Sequence, residues 1–174
     1  MCFPKQYTFS WTGYDAYYDS IMPAIEPILC DALEDPEEHY LIAVNEAICN
    51  AARYALDGPE QAKIHLHILM NTTDIKTSIS SVTTPWDAIS FRQHLRSLAD
   101  SPETGRLDWG DYTGTTAMSR GYWIMLMACD YIVTDSHGQR ITLCARRPFR
   151  SWHVRKTIQN LVPRLYLEKK GVIF

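Results

Sequence analysis

The stretches KIHLHILM, residues Lys63–Met70, and IKTSISSV, residues 75–82, decide the fold of this chain. In both, apolar and polar residues alternate with the period of two that is typical of a strand with one buried face. The residues between them, NTTD at 71–74, are of the kinds that form turns. The two stretches therefore predict an antiparallel hairpin that packs one face against a core.

The residues before this hairpin predict one strand and two helices. Residues 7–11 (YTFSW) alternate and are rich in aromatic side chains, which favours a short strand. Apolar residues recur at helical spacing through residues 14–33, where two prolines predict a kink. The motif DPEE at 35–38 is typical of a helix N-terminus, and the apolar stripe after it predicts a helix over 36–57.

The residues after the hairpin predict a long connection, a helix and a second hairpin. Residues 83–118 carry many Pro, Gly, Ser, Thr and Asp residues around one helical run at 88–98, and such long connections are usually functional. An apolar helix is expected over 121–131. Short alternating stretches at 131–134 and 140–145 then predict the second hairpin.

This order of elements predicts an α+β fold, a two-layer α/β sandwich with a mostly antiparallel sheet. Its helices, over 14–33, 36–57 and 121–131, are expected to cover one face of that sheet. The chain has 174 residues, of which 46% are hydrophobic and 21% charged, and this composition excludes disordered and fibrous classes. We expect a first unit over residues 1–149, followed by a basic extension over 150–174.

Membrane spans and metal centres held by His or Cys are not predicted. No run of about 18 apolar residues is present, and the first residues do not have the pattern of a signal peptide, so we expect a cytoplasmic protein with no membrane partner. The five cysteines are scattered without a CxxC pair and are expected to be reduced. The histidines do not have the spacing of zinc ligands.

The last part of the chain is basic, although the formal net charge is -3. Residues 145–174 contain eight basic residues and one acidic residue. A helix over 152–167 is predicted there, with an apolar stripe formed by Val154, Ile158, Leu161 and Leu165. We expect this stripe to pack on the chain's own body or to form an interface with a protein partner or a second copy. No recognised nucleic-acid-binding motif accompanies the basic residues.

The helix over 36–57 carries polar residues that could form a site. Glu46, Asn50 and Arg53 stand at i, i+4 and i+7, so their side chains share one face. A carboxylate can accept a proton, a carboxamide oxygen is a ligand for Mg²⁺, and a guanidinium can bind phosphate. The spacing alone also fits an ordinary exposed helix face.

The context of these residues resembles a known family. The stretch LIAVNEAICNAARYAL, residues 41–56, is similar to the N box of the GHKL ATPases, in particular of bacterial anti-sigma-factor serine kinases with a histidine-kinase-like ATPase domain. The resemblance implies that Glu46 is the general base and that Asn50 binds Mg²⁺. A second stretch, SRGYWIM at 119–125, resembles the "GRGL.LM" phosphate loop of the family, which implies that Ser119, Arg120 and Gly121 contact the phosphates of ATP.

A third motif of this family, "D.G.GFD", is only partly matched. When Trp86 and Asp87 are set against its last two residues, Ser81 stands at the aspartate that recognises adenine. Thr83 and Pro85 then stand where the family has glycines. Ser81 can still form a hydrogen bond but has no charge, and Pro85 has no backbone N–H to donate.

Two functions follow from the resemblance and its departures. In the first, the chain is a bacterial regulator of transcription that binds ATP and Mg²⁺ and phosphorylates or sequesters a protein partner, a sigma factor or an anti-anti-sigma-like regulator. In the second, the same fold has lost the nucleotide and serves as a protein-binding module. The Glu46 and Asn50 pair favours the first function, and the partly matched adenine motif favours the second.

Overall fold

The computed structural model describes residues 4–34, 38–108, 120–147 and 157–168. In these ranges six strands form one sheet in the order β1-β2-β3-β5-β4-β6. The strands are β1 (Lys5–Thr12), β2 (Lys63–Met70), β3 (Asp74–Ser81), β4 (Tyr131–Thr134), β5 (Arg140–Arg146) and β6 (Leu165–Leu167). Neighbouring strands are antiparallel except β4 and β6, which run parallel. Both predicted hairpins are confirmed.

The sheet is covered on one face, as the alternating sequences predict. Ile64, Leu66 and Ile68 of β2 are fully buried beneath the helices. The residues between them, such as His65 and His67, point to the other face and remain at least partly exposed. Because the large hydrophobic cluster of the described residues lies between the sheet and the helices, the fold is the two-layer α+β sandwich that the sequence predicts.

The first helical segment is continuous but irregular. It consists of α1 (Tyr14–Ala16), a π-helical turn at Tyr17–Ile21 and α2 (Met22–Leu33). Tyr17, at the start of the π turn, is fully buried and stacks on Trp11 with ring centroids 5.7 Å apart. The helix is thus irregular, as Pro23 and Pro27 predict, but the π-helical turn precedes both prolines and begins at the buried Tyr17.

The next helix, α3 (His39–Arg53), carries the candidate site residues. Its apolar row, including Leu41, Val44 and Ile48, is buried against the sheet. Of the predicted N-terminal signature at 35–38, residues 35–37 lie outside the described residues, and Glu38 directly precedes the first helical residue, His39, instead of lying in the helix. The helix ends four residues before the predicted end at 57, because residues 54–56 leave the helix and run antiparallel to residues 82–84, with a bridge between Ala55 and Thr83.

Two further helices border the long connection. α4 (Ala88–Asp100) agrees with the helical run predicted at 88–98. α5 (Arg120–Ala128) begins close to the predicted position and ends three residues earlier than predicted, because Tyr131 already belongs to β4. Among the described residues, no helix has both the length and the hydrophobicity needed to cross a membrane.

The basic extension packs on the body of the protein, but it is not helical throughout. Its described part contains α6 (Ile158–Leu161), a 3-10 turn at Val162–Arg164 and then β6, so the prediction of a helix to residue 167 is wrong at its end. Pro163 cannot donate a helical hydrogen bond. The open edge of β4 offers backbone partners instead, and Leu165 pairs with Ile132 there.

Candidate functional site

A cavity of about 430 Å³ lies on the helix side of the sheet, between α3, α4, α5 and the ends of the central strands. Residues after β3 and the turn between β4 and β5 complete its walls. The lining residues are Ala47, Asn50, Ala51, Tyr54, Ile79, Thr83, Thr84, Pro85, Trp86, Phe91, Tyr122, Met125, Thr134, Gly138, Gln139 and Ile141. None of these carries a formal charge.

Three aromatic rings form one wall of the cavity. Trp86 contacts Phe91 and Tyr122 with ring centroids 4.9 and 5.8 Å apart, and Phe91 lies 5.0 Å from Tyr122. The Trp86 indole also packs directly on Gly138, where a Cβ atom would fall 1.5 Å from the indole nitrogen. Gly138 has a φ of 69°, a conformation that also favours glycine. The turn between β4 and β5 therefore holds the tryptophan in place.

The polar groups of the cavity are few and uncharged. Asn50 contributes a carboxamide from α3. The hydroxyl of Thr83 is buried and has no hydrogen-bond partner among the described residues. Burial raises the pKa of the Tyr122 hydroxyl, although its hydrogen bond with the Thr134 side chain acts in the opposite direction. The cavity thus suits a flat, uncharged group that can accept or donate a few hydrogen bonds.

The structure separates the three polar residues that the sequence groups on α3. Asn50 lines the cavity, whereas Glu46 is half-buried and is not one of its lining residues. Arg53 is exposed and also stands outside the cavity walls. Since residues at i and i+4 lie roughly 6 Å apart on a helix, Glu46 remains a near neighbour of Asn50.

The residues matched to the adenine motif take different positions. Ser81, at the end of β3, is buried, and its hydroxyl has no partner in the described ranges. It lies two residues before Thr83, which lines the cavity and whose hydroxyl also has no partner among the described residues. Asp87 is exposed and caps α4, where its carboxylate accepts hydrogen bonds from the Ser90 amide at 2.9 Å and the Ser90 hydroxyl at 2.6 Å. These bonds lower the pKa of Asp87.

The residues matched to the phosphate loop are only partly described. Ser119 lies outside the described residues, as does the side chain of Arg120. The backbone of Arg120 and Gly121 begins α5, and the next residue, Tyr122, lines the cavity. The N-terminus of α5 therefore lies beside the cavity.

Sequence reasoning missed the aromatic wall. Phe91 lies in the predicted helix at 88–98 and Tyr122 in the predicted helix at 121–131, where each looks like an ordinary core residue. Asp87 carried a signal that could have shown its role, since Asp three residues before Ser at a helix start is a typical capping pattern. The bridge between Ala55 and Thr83, which shapes the rim, joins residues far apart in sequence.

No group of three or more His, Cys, Asp or Glu side chains that could hold a metal ion occurs in the described part of the chain. Comparison of the sequence with models of known protein families and with curated proteins finds no match.

Proposed function

We propose that this chain is a cytoplasmic bacterial regulatory protein that binds an adenine nucleotide in the cavity beside Asn50 and acts on a protein partner. One observation carries the proposal. Asn50, the residue that the GHKL resemblance matches to the Mg²⁺ ligand, lines a neutral cavity with an aromatic wall, and the N-terminus of α5 lies beside it. The aromatic wall would hold the nucleotide base, the N-terminus of α5 would face the phosphates, and Asn50 would bind the Mg²⁺ ion that accompanies them.

The nucleotide base fits the uncharged part of the cavity. The volume of the cavity, about 430 Å³, lies within the range of ordinary ligand sites. A purine can stack on the rings of Trp86, Phe91 or Tyr122. Its amino group or ring nitrogens can form hydrogen bonds with the hydroxyl of Thr83, whose burial without a partner is otherwise costly.

The phosphates would lie toward α5. The N-terminus of a helix favours negative charge because its first amide groups point outward and the helix dipole is positive there. The described residues of the cavity walls include no carboxylate, so Mg²⁺ would depend on the Asn50 oxygen and on phosphate oxygens. Bound ATP would supply the phosphoryl group, and Asn50 would orient it through the metal.

Phosphoryl transfer to a serine requires a general base that accepts the hydroxyl proton, and Glu46 is our candidate for this role. It lies one helical turn before Asn50 and outside the cavity walls, where a serine hydroxyl of a bound partner, rather than the nucleotide base, would reach it. In a kinase of this kind, Glu46 would accept the proton of that hydroxyl. The proposed partner is a sigma factor or an anti-anti-sigma-like regulator.

The first experiment is a calorimetric titration with Mg-ATP. We expect saturable binding to the wild-type chain and at least about tenfold weaker binding to Asn50→Ala, because a metal ligand is lost. Gln93→Ala is the matched control, since Gln93 is an exposed carboxamide on α4 outside the cavity walls, and it should bind like the wild type. If millimolar nucleotide produces no heat of binding and no thermal shift, the proposal is rejected.

The second experiment separates binding from transfer. Glu46→Ala should bind Mg-ATP with unchanged affinity but should not transfer labelled phosphate to a serine-containing partner. If Glu46→Ala and Asn50→Ala weaken nucleotide binding equally, the two roles are misassigned.

A nucleotide-free binding module is the second candidate function. The ribbon formed by residues 54–56 and 82–84 exposes three large apolar side chains beside the cavity: Tyr54 is 55%, Leu56 58% and Val82 63% exposed. Such neighbouring apolar side chains are a typical feature of protein-binding surfaces. This candidate predicts that a partner binds equally well with and without Mg-ATP, and that Leu56→Ser with Val82→Ser weakens that binding.

A further inference from the structure

A second cavity, of about 420 Å³, lies at the opposite end of the sheet from the cavity beside Asn50. It is bordered by α2, the first residues of β1, the turn between β2 and β3, and the residue that follows β5. Three of its lining residues, Lys5, Asp31 and Arg147, carry a charge, whereas the described walls of the cavity beside Asn50 carry none. The two cavities therefore suit ligands of different chemistry.

Arg147 is fixed in the wall of the second cavity by three bonds to backbone carbonyl groups. Its Nε atom donates a hydrogen bond of 2.5 Å to the Ala32 carbonyl, and its Nη1 atom donates one of 2.6 Å to the Asn71 carbonyl. Its backbone amide donates to the Thr73 carbonyl at 2.8 Å. Ala32 lies in the last turn of α2, where carbonyl groups have no partner within the helix and the helix dipole favours a cation. The guanidinium is thus held in place before any ligand arrives.

This guanidinium keeps donors for a ligand. Its two side-chain bonds use two of its five N–H groups. Among the described residues no carboxylate forms an ion pair with Arg147, so its charge meets only carbonyl oxygens. A planar guanidinium matches the two oxygens of a carboxylate. Lys5 adds a second cation to the same cavity, so the anionic end of a ligand belongs here.

Asp31 supplies the negative charge of the described walls. It directly precedes Ala32, whose carbonyl oxygen is bonded to Arg147, so the carboxylate and the guanidinium lie within the span of one small molecule. A ligand with a carboxylate and an ammonium group on the same carbon atom can meet both charges. An α-amino acid is such a ligand.

The rest of the second cavity is largely apolar. Ile28 and Ala32 stand one turn apart on α2, and Met70 lines the same space from the end of β2. Ala32 and Met70 are buried, and the Tyr7 ring on β1 adds an aromatic surface. A volume of about 420 Å³ is within the range of small-molecule sites. The cavity can therefore bury an aliphatic or aromatic side chain.

We propose that the second cavity binds a free α-amino acid with an apolar side chain. Its carboxylate binds Arg147 and Lys5, and its ammonium group binds Asp31. Its side chain packs on Ile28 and Met70. The bound molecule joins α2, β1 and the β2–β3 turn, so it stabilises the folded chain. The inference is independent of nucleotide binding, because the two cavities share no lining residue.

The first test is a calorimetric titration of the full-length chain with L-leucine, L-methionine and L-phenylalanine. We expect saturable binding of at least one of them. Its amide, which lacks the carboxylate, should bind at least about tenfold more weakly, and its analogue without the amino group at least about threefold more weakly. Glycine, which lacks the side chain, should not saturate the site. No binding of the three amino acids at millimolar concentration, or equal binding of acid and amide, would overturn the inference.

The variant Asp31→Asn tests the contact with the ammonium group. It should weaken binding of the amino acid at least about threefold and should not weaken binding of the analogue without the amino group. Asp19→Asn is the matched control, because Asp19 is exposed on the same helical segment outside the cavity walls, and it should bind like the wild type. Equal losses for both ligands in Asp31→Asn would overturn the assignment of an amino acid.

Methionine methyl signals locate the bound molecule. Met70 lines the second cavity and Met125 lines the cavity beside Asn50. In a chain with ¹³C-labelled methionine methyl groups, the amino acid should shift the Met70 signal and leave the Met125 signal unchanged. A shift of Met125 alone would overturn the inference. A Met70 shift with the amino acid, together with no response of either signal to Mg-ATP, would support the inference and reject the proposed nucleotide.

Discussion

Replacing Leu161 by alanine tests whether the basic extension belongs to the folded core. Leu161 in α6 is 1% exposed, and its neighbours Ile158 and Val162 are buried in the same hydrophobic cluster. Removing most of a buried leucine side chain costs about 2–5 kcal/mol, through lost burial and the cavity left behind. We therefore expect Leu161→Ala to lower the free energy of unfolding by about 3 kcal/mol.

Urea unfolding followed by circular dichroism measures this change. With a denaturant dependence of about 2 kcal/mol per molar urea, the midpoint should fall by roughly 1.5 M. Gln159→Ala is the control on the same helix, because Gln159 is exposed and its bond to Gly105 uses only the backbone amide. That variant should stay within about 0.5 kcal/mol of the wild type.

The result also decides how the chain divides into units. One cooperative transition that moves as a whole would show that α6 and β6 unfold with the sheet. A loss below about 0.5 kcal/mol, or an early separate transition in Leu161→Ala, would refute our reasoning, since the extension would then be a weakly attached unit.

Two further predictions concern buried polar groups. Tyr40→Phe should lower the free energy of unfolding by about 1–2 kcal/mol in the same urea assay, because the buried Tyr40 hydroxyl donates a hydrogen bond to the Leu143 carbonyl at 2.9 Å and accepts one from the Thr77 hydroxyl at 3.1 Å. Tyr54→Phe, at a 55% exposed position, should have little effect. Burial raises the pKa of Cys144 from 9.0 to about 11, so the unfolded chain loses that proton first and stability should fall as the pH rises from 9 to 11. Cys144→Ala should lose less stability over that pH interval, and equal losses in both proteins would contradict this account.

The elements that the sequence predicted correctly are those with a complete local pattern. The hairpin of β2 and β3 has strict alternation and a polar turn, so its register follows from the residues themselves. α3 has an apolar row at helical spacing, which was sufficient to place Leu41 and Val44 in the core.

The differences arise where a distant partner decides the local structure. The apolar residues of the extension fit a helix, but Leu165 instead pairs with Ile132, because a free strand edge outweighs a weak helical preference next to a proline. Likewise the spacing of the sequence predicts Tyr54 within α3, but the helix ends at Arg53 because the next residues pair with residues 82–84 through the bridge of Ala55 with Thr83. Local sequence carries no information on either partner.

The candidate site could be predicted only in part for the same reason. Asn50 is singled out by the resemblance of its surroundings to the N box, and the structure places it at the cavity. The aromatic wall is assembled from the residue before α4's cap and from two separate helices, so only the folded chain brings these rings together. The role of Glu46 in phosphoryl transfer stays a prediction.

The pairing of β6 with β4 has a consequence for the order in which the protein can fold during synthesis. Until Leu165 has left the ribosome, the outer edge of β4 has no partner strand, and the surfaces that contact α6 stay open to water. A nascent chain in this state presents both an unpaired strand edge and apolar side chains, the combination that promotes aggregation. Slow translation of the residues between β5 and β6 should therefore lower the soluble yield and increase the protein's dependence on chaperones.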